Sequence, residues 1–179
     1  MVPVEQAVNL GEVKYGREDD VLVCFGLGSC VGVVLFDPLA KIGGMAHIVL
    51  PTNGRQNLDV LVTATLAPKP NQEEKTPAKY ADQGLPYLLE NLLTKGASRS
   101  RLQAKIAGGA SVLAVPIFNK TGGSEIGERN VLAVEVALEN LKIPITAKDT
   151  GGNQGRTMRF YLEDGRVEIS AFGLGKKLL

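Results

Sequence analysis

The feature that most constrains the fold is a pair of apolar runs on either side of a short turn: CVGVVLF (Cys30 to Phe36), DPLAK (Asp37 to Lys41) and IGGMAHIVL (Ile42 to Leu50). Both runs are rich in apolar and β-branched residues, so each reads as a strand, and Pro51 ends the second. Pro38 presets φ and Asp37 caps its own backbone, which makes DPLAK a turn and the whole unit an antiparallel hairpin. In a hairpin the turn sets the register. A four-residue loop over Asp37 to Ala40 places Phe36 opposite Lys41 and Cys30 opposite His47. A five-residue loop places Cys30 opposite Ile48, one position from His47. Either spacing makes the thiol and the imidazole cross-strand neighbours, with directly opposed Cβ atoms about 4.5–5.5 Å apart.

That neighbourhood matters because His47 is the only histidine in the 179 residues, and Cys24 and Cys30 are the only cysteines. Any imidazole acid–base site must use His47. A Cys/His zinc site would need both cysteines, His47 and a carboxylate, and it lacks the paired-ligand spacing, so no metal is expected. A thiol beside an imidazole is a different matter. The imidazole takes the thiol proton, giving a thiolate–imidazolium pair at neutral pH, and the imidazolium then protonates a leaving amine. The preceding Gly26-Leu27-Gly28-Ser29 suits a loop where backbone approaches a substrate closely. The N–H groups of this Gly28-Ser29-Cys30 stretch offer oxyanion donors. The competing structural reading makes Cys30 a small core residue and GLGS a simple turn.

The rest of the chain reads as short strands with two inserted helices. Gly11 to Tyr15 and Asp20 to Phe25 are strands, the second (VLVCF) apolar enough to be buried on both faces, with Cys24 as packing. About 20 Å of strand would separate Cys24 from Cys30, beyond a disulfide unless the GLGS turn folds the chain back. Leu85, Leu88, Leu89 and Leu92 form one helical stripe, with Pro86 expected near the helix start or at a kink and Gly96 as the stop. A second helix spans about Glu125 to Asn140, with Val131, Val134, Leu138 and Leu141 as its stripe. Leu102 to Ala107 and Ser111 to Phe118 are strands around the Gly108-Gly109 turn, and Ile143 to Ala147 is another. Thr157 to Leu162 and Arg166 to Phe172 flank the hairpin signal Asp164-Gly165. The expected fold class is α/β: one domain over residues 1–179, with mixed, mostly antiparallel, β-sandwich-like sheets and the two helices packed outside.

Twenty Lys plus Arg against nineteen Asp plus Glu leave a net charge of +1, which argues against a dedicated nucleic-acid or anionic-membrane binder. No apolar run reaches membrane-span length, and MVPVEQAVNLGEVKYG carries no basic n-region or apolar h-region. The expected setting is therefore cytoplasmic and reducing, with no cofactor.

The segment GLGSCVGVVLFDPLAKIGGMAHIVLP resembles the active-site segment of the CheD family of chemoreceptor glutamine deamidases. The resemblance continues through KYADQGLPYLLENLLTKGA (Lys79 to Ala97), RLQAKIAGGA (Arg101 to Ala110), IGERNVLAVEVALENLKIPITAKDTGGNQGRTMRF (Ile126 to Phe160) and EDGRVEIS. It implies a cysteine hydrolase with Cys30 as nucleophile and His47 as base. It also implies a fold similar to the deamidating domain of cytotoxic necrotizing factor toxins. The implied substrate is a glutamine on the helical cytoplasmic part of methyl-accepting chemotaxis receptors, and the implied second partner is a CheC-type phosphatase.

Two positions depart from the family pattern. Cys24 stands where TLGLGSC carries a Thr that completes a triad, so a backbone carbonyl is the expected substitute for orienting His47. Gln56 to Lys75 is longer than the usual connection and reads as a surface loop. Asp149 to Arg156 (DTGGNQGR) lacks both phosphate-loop patterns. Its Gly151, Gly152 and Arg156, together with Gly26, are candidate substrate-binding positions. The C-terminal GLGKKLL reads as a fraying end. The alternative function is a regulatory module that docks receptor or phosphatase helices with little turnover.

Overall fold

A computed structural model describes residues 5–52, 76–111, 126–171, 173 and 175–179. The expected β-rich patch Val60 to Leu66, the long 56–75 connection and most of the Ser111 to Phe118 strand lie outside the described residues.

The strands are β1 (Glu5–Ala7), β2 (Val13–Arg17), β3 (Val21–Leu27), β4 (Val31–Asp37), β5 (Ile42–Ile48), β6 (Gln103–Gly108), β7 (Ile145–Thr150), β8 (Arg156–Tyr161), β9 (Val167–Ala171) and β10 (Gly175–Leu178). The helices are α1 (Ala81–Thr94) and α2 (Ile126–Asn140). One sheet has the order β1-β3-β8-β9-β10 and the other β2-β5-β4-β6-β7. β1 with β3 and β6 with β7 are parallel, and the other pairings are antiparallel.

Strand β4 is buried at every residue, because its two faces meet different layers. Val31, Val33 and Leu35 join Ala46, Ile48 and the α1 leucines in one core. Val34 and Phe36 join Met45, Cys24, Met158 and Phe160 in a second core between the sheets. The order is thus helices, sheet, sheet, as the strand and helix patterns predict. Leu85, Leu88, Leu89 and Leu92 are all buried on α1, each contributing about 2 kcal/mol by leaving water. Pro86 is accommodated inside this helix as its sixth residue. On α2 the buried positions are Gly127, Asn130, Val134 and Leu138, while Val131 and Leu141 pack against the core from the rim. No helix of the described residues is long and apolar enough to cross a membrane.

The β4–β5 hairpin forms, but its turn differs from the expectation by one residue at each end. Asp37 pairs with Ile42 and Gly32 with His47, so the loop is Pro38 to Lys41 rather than Asp37 to Ala40. Lys41 adopts φ +52, a left-handed conformation that cannot continue a strand. Asp37 stays in the strand, and its Oδ1 caps the turn by accepting the N–H groups of Leu39 and Ala40, both at 3.1 Å. The resulting two-residue slip preserves the side-chain face, because strand side chains alternate with period two. Continued one step past the start of β4, this register makes Cys30 a diagonal neighbour of His47 rather than its direct opposite.

Asp37 anchors the hairpin to the segment between α1 and β6. It is fully buried and also accepts from Arg101 Nε (2.9 Å), Arg101 Nη2 (2.7 Å) and Ser98 N (2.8 Å). Chiefly through the Arg101 guanidinium, its carboxyl is held well below the usual carboxylate range. The folded chain then binds fewer protons here than the unfolded chain. The stability from Asp37 is complete above about pH 4 and is lost as pH falls further. We expect Asp37→Asn to be less stable than wild type by about 2 kcal/mol at pH 7 in urea unfolding. The gap should shrink steadily as pH falls below about 4, where the unfolded chain takes up a proton at Asp37 that the folded chain does not.

The C-terminal segment is a strand and not a frayed end. β10 pairs antiparallel with β9, Leu179 N donates to Val167 O at 2.9 Å, and Lys105 Nζ donates to Leu179 O at 2.7 Å.

Candidate functional site

His47 lies on β5 and faces the gap between the sheets, opposite Gly32. A Cβ at Gly32 would meet Met158 Sδ at 2.9 Å and Leu27 Cδ1 at 3.0 Å, so only glycine keeps the inter-sheet packing at this rung. The imidazole is 3% exposed. Its Nδ1 sits 3.0 Å from the Val8 carbonyl oxygen, and Val8 is tied to β3 through Val8 N→Val23 O at 2.7 Å. A carbonyl only accepts, so Nδ1 carries the proton and Nε2 of the neutral ring presents a lone pair. Nε2 is buried and has no hydrogen-bond partner among the described residues. The main chain of His47 is held on both sides, with His47 N→Glu12 O and Gly11 N→His47 O both at 3.0 Å.

Cys30 ends the turn between β3 and β4. It is half-buried and packs against the same inter-sheet core that His47 faces. Diagonal neighbours on one sheet face lie about 7–8 Å apart at Cα, within reach of an imidazole. Burial pushes the Cys30 thiol up and the His47 imidazole down; at His47 the Val8 carbonyl and Glu12 work against that shift. Both shifts favour neutral forms. The cause is common to both, because desolvation penalises a thiolate and an imidazolium alike.

The turn before Cys30 is Gly28 to Cys30, shorter than the expected GLGS interruption, because β3 runs on through Leu27. Gly26 lies inside β3 at a register shift between Cys24 and Leu27, with φ +63. A Cβ there would touch nothing within 4 Å, so Gly26 is required for its backbone conformation rather than for close approach. The three carbonyls of the turn are all anchored. Gly28 O accepts from Ala110 N at 2.7 Å and Cys30 O from Gly109 N at 2.8 Å. Ser29 O accepts from Asn130 Nδ2 at 2.8 Å. Among the described residues, the N–H groups of Gly28, Ser29 and Cys30 donate to nothing, which leaves them available to an anionic oxygen.

Among the described residues, Cys24 makes no hydrogen bond to His47. It is fully buried, its Sγ lies 3.3 Å from Met45 Sδ, and burial raises its thiol. The chain does fold back at the turn, so both cysteines border one core, and both are free.

The chain matches the family model described as CheD chemotactic sensory transduction over residues 65–171. A protein of Caldanaerobacter subterraneus subsp. tengcongensis is 40% identical over 172 residues, 96% of each chain. The chain belongs to the CheD family. A Symbiobacterium thermophilum protein is 44% identical across 96% of this chain and 94% of its own. One from Desulfitobacterium hafniense is 39% identical across 97% of each. All three carry the name probable chemoreceptor glutamine deamidase CheD. Alignments of that extent run across both Cys30 and His47.

In this CheD chain the DTGGNQGR segment is a braced loop. Arg156 is buried and donates to Asp149 O (2.8 Å), the Asp149 carboxylate, Gly151 O and Gln154 O (3.3 Å). Its guanidinium is committed inside the loop, which does not favour a role in grasping a phosphate or substrate. Gly151 and Gly152 adopt φ +78 and +74 and link the loop to the end of β6 through Gly151 N→Gly108 O (2.9 Å) and Ser111 N→Gly152 O (2.8 Å). A groove of about 440 Å³ runs beside this loop, lined by Gly152, Arg156, Ile169 and Lys177 among others, and neither Cys30 nor His47 lines it. No group of three or more His, Cys, Asp or Glu side chains among the described residues is placed to hold a metal ion.

Two contributors escaped the sequence reading. Val8 acts through its backbone, which leaves no residue signature. Asn130 had a signal, since it is a polar residue at a core-facing position between Gly127 and Val134.

Proposed function

We propose that this chain is a protein-glutamine deamidase that converts glutamines on the cytoplasmic helices of chemoreceptors to glutamates, with Cys30 as nucleophile and His47 as base. The observation that carries this reading is the neutral His47 ring, locked by the Val8 carbonyl so that Nε2 is unprotonated and unpartnered on the face it shares with Cys30. A CheC-type phosphatase is the second partner class on this reading, supported by the family resemblance. Val8 O takes the orienting role in place of a side chain at position 24.

As Cys30 Sγ attacks the carboxamide carbon, His47 Nε2 accepts the thiol proton, the C–S bond forms and the carbonyl π pair moves to oxygen. The free N–H groups of the Gly28–Cys30 turn hold that oxyanion. The imidazolium returns its proton to the departing nitrogen, the C–N bond breaks and ammonia leaves a glutamyl thioester. Water then gives a proton to neutral His47 and attacks the thioester carbon. Collapse of the second oxyanion breaks the C–S bond, releases glutamate and returns the proton to Cys30.

The test incubates wild type and Cys30→Ala with a receptor cytoplasmic fragment and follows ammonia release and fragment mass. Wild type is expected to release one ammonia for each mass increase of about 1 Da, and Cys30→Ala to do neither. Equal silence from both proteins overturns the reading and leaves a docking module.

A further inference from the structure

We propose that Asn130 is a positioning residue that holds the Cys30 turn and the His47 strand end in register; the inference rests on the Cys30–His47 reading above. Asn130 is fully buried on the core-facing stripe of α2. Its Nδ2 donates to Ser29 O at 2.8 Å and to Val49 O at 2.9 Å. Both acceptors are carbonyls, so the amide orientation is determined. One acceptor precedes Cys30 by one residue, and the other follows His47 by two. A single side chain thus bridges the two backbone segments that carry the reactive groups.

Stability alone does not account for an Asn here. Among the described residues its Oδ1 is buried without a partner, a situation that costs stability. The flanking stripe positions are Gly127 and the fully buried Val134, so an apolar side chain of similar size suits the site. What an apolar side chain lacks is the pair of donors.

Those donors act at two points. The peptide unit between Ser29 and Cys30 is planar and trans, so holding Ser29 O toward α2 aims Cys30 N–H the opposite way. Asn130 therefore sets the direction of an oxyanion donor. By holding Val49 O as well, it fixes the spacing between the nucleophile turn and the strand that presents Nε2. Close glycine contacts seat the helix for this purpose. A Cβ on Gly127 would stand 2.6 Å from Gly109 O, and a Cβ on Gly109 would stand 2.2 Å from Val131 Cγ2.

The experiment compares wild type, Asn130→Leu, Asn130→Asp and His47→Ala in three measurements: ammonia release from receptor fragment, Tm, and the pH profile of Cys30 alkylation by chloroacetamide. In wild type the alkylation rate should be level between about pH 6.5 and 8.5, because the thiol proton passes to neutral His47. In His47→Ala it should climb about tenfold per pH unit. Asn130→Leu leaves Ser29 O and Val49 O without their donor and should lower Tm by about 5 °C; at a temperature where it is fully folded it should still lose kcat by about a hundredfold with KM unchanged and show the alkylation profile of His47→Ala. Asn130→Asp keeps the shape but not the donors, and should lose kcat similarly. Asn130→Leu with wild-type kcat and a level profile overturns the proposal, as does a loss of kcat that only follows a loss of Tm. If wild type releases no ammonia yet shows a level profile that Asn130→Leu abolishes, positioning stands and the deamidase reading falls. If wild type shows neither ammonia release nor a level profile, both fall.

Discussion

His47→Ala should lower ammonia release from receptor fragment about a thousandfold at pH 7.5, with KM little changed. The size of the effect follows from burial. Burial raises the Cys30 thiol, so almost no thiolate exists at neutral pH without a base to accept its proton. His47 is the only imidazole in the chain, so no neighbouring histidine can stand in for it. Burial also holds His47 below the ordinary imidazole range, and the ring must be neutral to act as a base. Activity should therefore rise on an acid limb centred below about pH 6.5 and stay level until the thiol begins to ionise, above about pH 8.5. An acid limb centred above pH 7 would contradict this assignment. Being alone, the imidazole gives one set of ring resonances, so its titration can be followed directly by NMR and matched to the limb. Cys24→Ala is the control. Cys24 faces Met45 and not the imidazole, so activity should stay within about threefold while stability drops by about 1 kcal/mol.

Gly108→Ala should be the most damaging substitution outside the reactive pair. A Cβ at Gly108 would stand 2.2 Å from Cys30 O, in a backbone conformation with φ +117. Neither the carbonyl nor the end of β6 can yield alone, because Gly109 N is bonded to that same Cys30 O at 2.8 Å. The methyl must push the Cys30 turn away from β6, and with it the thiol and the free N–H groups. We expect a loss of about 3 kcal/mol in urea unfolding. We also expect a fall in kcat of more than about a hundredfold where the protein remains folded, as for a misplacement of about 1 Å. Gly151→Ala separates strain from collision. Its φ is +78, but a Cβ would meet nothing within 4 Å, so it should cost about 1 kcal/mol and leave activity intact. Equal effects at the two glycines would show that collision with Cys30 O is not the cause.

How much of this was legible in the sequence depends on whether information is local. The face shared by Cys30 and His47 was legible even though the register was not. Asp37 and Lys41 moved the turn, yet a slip of two residues keeps side chains on the same side. The α1 stripe was legible because four leucines at helical spacing admit one buried face. The end of β3 was less so, since a bulge at Gly26 carries the strand two residues further than an apolar run suggests. The C-terminal strand was missed because GKKL is exposed at all four residues. Its place comes from pairing with β9, not from hydrophobicity.

The sequence by itself determined the candidates. One histidine and two cysteines, with Cys30 and His47 in strands joined by a four-residue turn, allow few other thiol–imidazole sites, and alternation put that pair on one face. Only the tertiary structure decided what surrounds them. The Val8 carbonyl reaches His47 from just past the end of β1 in the other sheet, 39 residues away in sequence. Asn130 reaches Ser29 across 101 residues. Cys24 turns to Met45 instead of the imidazole. Such contacts are set by how the sheets and helices stack, and backbone carbonyls are the same at every residue, so no local pattern of side chains encodes them.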